Sequence, residues 1–144
     1  MTAPEHTAQR ELALTLLARR TGPAAGAEAI AAAAGRAYDD LAQVLAPVIG
    51  DVGVAAMTDR ALHLATRDYA WLPSSGPGAA DTGFMKVIDA LKRYDDPAVA
   101  AEAAAAVLAA ILGMLATFIG EPLAARLVRQ AWPDASSSAD TEET

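Results

Sequence analysis

From Glu28 onward the apolar positions Ile30, Ala34, Ala37, Leu41, Leu45 and Val48 return at steps of three and four. Arg36, Asp39, Asp40 and Gln43 take the opposite side. This is the period of an amphipathic α-helix. The same period runs through 5–20, where Leu12, Ala13, Leu16 and Leu17 share a side that Arg10, Glu11 and Arg19 avoid. It recurs after Asp81, where Phe84, Ile88 and Leu91 line one face and Lys86, Asp89, Lys92 and Arg93 the other. Punctuation between the segments is equally plain. "TGPAAG" closes the first helix, Pro47 bends or stops the second with "VIG" as its exit, and Asp51 caps a third that runs to about residue 69. "AWLPSSGPGAA" is the longest break, with 73–80 a mobile loop. Asp96 followed by Pro97 predicts an N-cap with proline at the first helical position, and hence a helix over 97–119. A last helix covers 122–132. The pattern predicts an all-α fold, a single compact bundle of five to six helices built from antiparallel helical hairpins, occupying residues 1–132.

Two stretches share one grammar. "APVIGDVGVAAMTDRAL" at 46–62 aligns with "ATFIGEPLAARLVRQAW" at 116–132 at a constant offset of 70, both placing Ile-Gly-acid between a greasy helix and an amphipathic one. Glycine is the easiest left-handed helix cap and an acid suits the next helix start, so common turn chemistry accounts for most of the match, with a duplicated hairpin as the alternative.

Composition adds three constraints. Alanine makes up about a quarter of the 144 residues and aromatics only 5%, which favours helix over sheet. The chain has no cysteine, which excludes disulfides and thiolate chemistry and suits a reducing cytoplasm. Of the net charge of −7, four negative charges belong to the tail 133–144 (Asp134, Asp140, Glu142 and Glu143), leaving −3 for the body. That tail reads as solvated and disordered, and the acidic balance opposes nucleic-acid binding. Arginine far outnumbers lysine which, with the alanine and glycine, suggests a GC-rich bacterial genome. The first twenty residues carry Glu5, Arg10 and Glu11 and do not read as a signal peptide.

From Val99 to Ile119 the only charge is Glu102, and the length matches a membrane span of about 20 residues. Its alanines are nearly neutral for insertion, and no basic cluster flanks it. A buried central helix of a soluble bundle is the better reading, with membrane contact as the alternative.

Candidate chemistry is sparse. His6 and His63 lie in different segments, so no metal site is expected, and no Gly-rich phosphate loop, cofactor motif or catalytic constellation stands out. His63 shares a polar helix face with Asp59, Arg60 and Arg67; a phosphotransfer histidine is one reading of it, an exposed histidine paired with Asp59 the simpler one. Glu102 and Glu121 invite comparison with a buried acid pair, but acids in first helical turns are favoured by the helix dipole alone. Arg60, His63, Arg67, Arg126 and Arg129 are candidates for an interaction face, and Trp71, Phe84 and Trp132 for an apolar ligand site. The expectation is a non-enzymatic bacterial interaction or regulatory and signalling module, acting in the cytoplasm on another protein and self-associating as a homodimer or other homo-oligomer. Binding of a small apolar ligand, or reversible membrane association, is the alternative.

Overall fold

A computed structural model of the chain describes residues 4–21, 26–72 and 80–133. The loop expected at 73–80, apart from its last residue, and the tail expected at 133–144, apart from its first, lie outside them. The described residues form five helices: α1 (Pro4–Thr21), α2 (Ala27–Ala65), α3 (Ala80–Arg93), α4 (Pro97–Ile119) and α5 (Glu121–Ala131). Their packing is that of an all-α bundle.

α2 is two arms in one. Gly50 leaves the helical region entirely, at φ 83° and ψ 160°. Across it the chain reverses: the Tyr38 hydroxyl lies 2.7 Å from Thr58 Oγ1, although twenty residues of unbroken helix would separate them by about 30 Å. Thr58 is buried and spends its own proton on the Val54 carbonyl at 2.9 Å, so Tyr38 is the donor of the pair. The expected break at Pro47 is therefore displaced. Pro47 sits within the first arm (27–49) and forfeits only the one bond that the Gln43 carbonyl would have accepted, while Gly50 makes the turn. The second arm (51–65) also stops a turn earlier than its pattern suggests. Beyond Ala65 the amides of Arg67 and Asp68 pair three residues back, with Leu64 and Ala65, as in a 3₁₀ turn.

The second half repeats this plan. Asp96 caps α4, its carboxylate accepting from the Ala98 amide at 3.0 Å with Pro97 following, as expected. α4 is 23 residues long, like the first arm of α2, and ends on Gly120 at φ 91° and ψ 152°. Gly120 donates to the Ala116 carbonyl at 2.9 Å and accepts from the Ala124 amide at 3.0 Å, so one residue closes α4 and opens α5. The left-handed cap expected here is corrected. φ is positive, but ψ puts both Gly50 and Gly120 in the extended region that is essentially glycine's alone.

Burial follows the same offset of 70: Leu41 and Ile111, Leu45 and Leu115, Met57 and Leu127, Ala61 and Ala131, and Leu62 and Trp132 are all buried. The outer helices are exchanged between the halves. α1 packs far more on α4 than on α2, and α3 far more on α2 than on α4. α4 and the first arm of α2 form the centre; both bury runs of alanine, Ala33, Ala34 and Ala37 in one and Ala103 and Ala104 in the other, small residues that let neighbouring helices approach closely. The direction follows from the turn. The second arm doubles back along the first, and its last residues share a groove with the C-terminal half of α4, so α4 runs antiparallel to the first arm. By length and composition, α2 and α4 could each cross a membrane, but 61% of the most apolar stretch of α4 is buried within the fold, as a central bundle helix requires.

Candidate functional site

The three aromatic side chains considered as a ligand site stand in separate environments. Trp132 is fully buried, and its indole Nε1 donates to the Ala37 carbonyl at 2.9 Å, tying the end of α5 to the middle of the first arm. Phe84 is buried and stacks on Tyr38 with ring centres 4.2 Å apart. Trp71 stacks on Tyr94 at 4.2 Å and meets Tyr69 edge-on at 6.4 Å, closing the end of the second arm. Its remaining surface borders a shallow depression with Lys86, Asp89 and Arg93, away from the other two. Tyr69, beside Trp71, has a perturbed phenol. Partial burial raises its phenol above the usual value, Arg10 opposes, and Glu102 and Asp68 add to the rise.

The polar candidates are on the surface. Arg60, His63 and Arg67 are exposed along the second arm of α2 and just beyond it, and Arg126 and Arg129 are exposed on α5. Glu102 and Glu121 are also exposed, so they form no buried acid pair. Among the described residues no three His, Asp or Glu side chains gather as metal ligands would.

What the sequence pattern did not mark is a groove along α4. Ala106, Ala109, Ala110, Gly113 and Met114 floor this groove of about 380 Å³. Leu64 and Ala65 from the second arm add apolar wall, and Arg10, Arg67, Asp68 and Thr117 form the polar edge. The offset of 70 supplies an internal comparison. Where α4 has Ala106, Ala109, Ala110 and Gly113, the first arm has Arg36, Asp39, Asp40 and Gln43. A depression over the matching stretch of that arm is polar, and Arg20 of α1 bonds across it, Nη1 to Asp40 Oδ2 at 3.0 Å. One copy of the plan presents an ordinary charged surface, and the other presents the same positions bare of charge. Only this comparison of the two halves would have found the groove from sequence.

Both turns also carry apolar side chains into solvent. Val48 is 47% exposed and its counterpart Phe118 71%, while Val52 and Leu123, just beyond the two glycines, are 83% and 39% exposed. No protein-family model, curated protein or solved structure matches the chain.

Proposed function

We propose that the chain is a non-enzymatic helical interaction module of a bacterial cytoplasm, self-associating and regulatory in role. One observation carries the reading: both turns expose apolar side chains, Val48 and Val52 beside Gly50 and Phe118 and Leu123 beside Gly120, with Val48 and Phe118 at equivalent places. Isolated exposed apolar residues are ordinary, whereas apolar groups that stand together at a repeated position mark a contact surface. A body of charge near −3 with Arg126 and Arg129 exposed on α5, the helix that carries Leu123, leaves charged groups of both signs on the surface for a partner.

Light scattering over a range of concentration tests it. The parent is expected to exceed its 14.7 kDa chain mass, and Val52→Glu with Phe118→Glu to return it to one chain without loss of helicity. A parent that stays at the single-chain mass up to millimolar concentration overturns the self-association. The groove on α4 favours a second activity, small-ligand binding.

A further inference from the structure

We infer that the α4 groove is a binding site for the aliphatic chain of a monocarboxylic acid. The inference is independent of self-association. The groove follows α4 from Ala106 to Thr117, about 17 Å of helix, room for an extended medium-chain acid, and its floor from Ala106 to Met114 carries no charge. A groove of about 380 Å³ is within the range of small-molecule sites. Small side chains on α4 make the depression. Met114 at one end and Leu64 and Ala65 on the wall give the chain apolar contact that water does not reward.

The edge selects the headgroup. Among the residues that line the groove Arg10 and Arg67 outnumber Asp68, while Glu102, which acts on Tyr69 together with Arg10 and Asp68, stands one turn before Ala106. Two guanidinium groups suit a carboxylate, which each can meet with a pair of N–H donors. A depression of about 350 Å³ over the matching stretch of the first arm shows a charged version. Its floor positions are Asp40 and Gln43, its arginine is bonded to Asp40, and it offers neither an apolar bed nor a free cation of this kind. One acid per chain is therefore expected.

Isothermal titration calorimetry with dodecanoate below its micelle concentration, against dodecyltrimethylammonium and dodecanol, tests the site on the full chain. Dodecanoate is expected to bind one per chain and at least tenfold more tightly than the cationic amphiphile. Arg10→Gln with Arg67→Gln, both on the exposed edge, is expected to weaken dodecanoate at least tenfold and leave dodecanol unchanged. Asp68→Asn is expected to tighten dodecanoate, and Ala110→Leu, which fills the floor, to weaken both dodecanoate and dodecanol. Circular dichroism of each variant establishes that it is folded. Absence of dodecanoate binding, equal affinity for the cationic amphiphile, or a folded double-arginine variant that binds as the parent does would each overturn the inference. Chain mass by light scattering in the same samples keeps this outcome separate from that of self-association.

Discussion

Replacing Gly50 or Gly120 by alanine isolates one physical quantity. A Cβ built on Gly50 meets nothing within 4 Å, and on Gly120 only Pro122 Cδ at 3.9 Å, so neither substitution creates a clash. What remains is backbone strain, since φ 83° with ψ 160° and φ 91° with ψ 152° are open to glycine and closed to residues with a Cβ. That strain costs about 1–3 kcal/mol. Alanine also restricts the unfolded chain, which returns about 0.4–1 kcal/mol. The net destabilisation is about 1–2 kcal/mol per site, and at about 4 °C per kcal/mol for a domain of this size each Tm falls by about 4–8 °C. The two turns lie at opposite ends of the antiparallel central pair, so the double variant should lose the sum of the two. Urea denaturation followed by circular dichroism, with the slope unchanged, gives the free energies. Asparagine provides the discriminating arm. It tolerates a left-handed cap but gains nothing at ψ near 150°, so Gly120→Asn should be as unstable as Gly120→Ala. Alanine variants that melt with the parent, or asparagine variants that recover most of the loss, would refute the turn geometry described above.

Other consequences are equally measurable. Trp132→Phe removes the donor to the Ala37 carbonyl and part of a fully buried ring; about 2 kcal/mol should be lost in urea, with the remaining Trp71 giving red-shifted emission. A Cβ on Gly35 would approach Ile88 Cδ1 at 2.9 Å, a contact with the far end of a flexible side chain. Gly35→Ala should therefore gain about 1 kcal/mol of helix propensity in an Ile88→Val background and less in the parent, and equal effects in both would show that the contact is not felt. The raised Tyr69 phenol keeps its proton in the folded state above the pH at which the unfolded chain releases it. Its stabilising contribution is thus complete below about pH 10 and lost as pH rises through the folded value. Tyr69→Phe should flatten that part of the stability curve, and an unchanged alkaline slope would count against the burial of the ring.

The helices were legible because their apolar positions recur every three or four residues, and the Asp96-Pro97 start was legible because it states a complete cap. Pro47 misled for a local reason. A proline near a helix end costs one hydrogen bond, which the first arm tolerates, and the true stop three residues on depends on a backbone conformation that composition does not reveal. The Ile-Gly-acid match correctly placed both turns, but not that glycine adopts the same unusual ψ in each. The exchange of α1 and α3 between the halves was not readable at all, because periodicity names a buried face without naming its partner. For the same reason Trp132 could be placed at a helix end but not on the Ala37 carbonyl. The α4 groove stayed hidden because Ala106, Ala109, Ala110 and Gly113 look like core when read alone. Their meaning comes from the charged residues that occupy the same places in the other half.

That exchange has a consequence for how the protein is made. The buried side of α1, with Ala13, Leu16 and Leu17, leaves the ribosome before the other four helices, but most of its cover is α4, which begins 76 residues after α1 ends. At synthesis rates of about 5–20 residues per second, α1 waits about 4–15 s with its apolar stripe bare while α2 and α3 are already able to pair. In a growing chain, then, the N-terminal helix is the segment offered longest to chaperones and to neighbouring nascent copies.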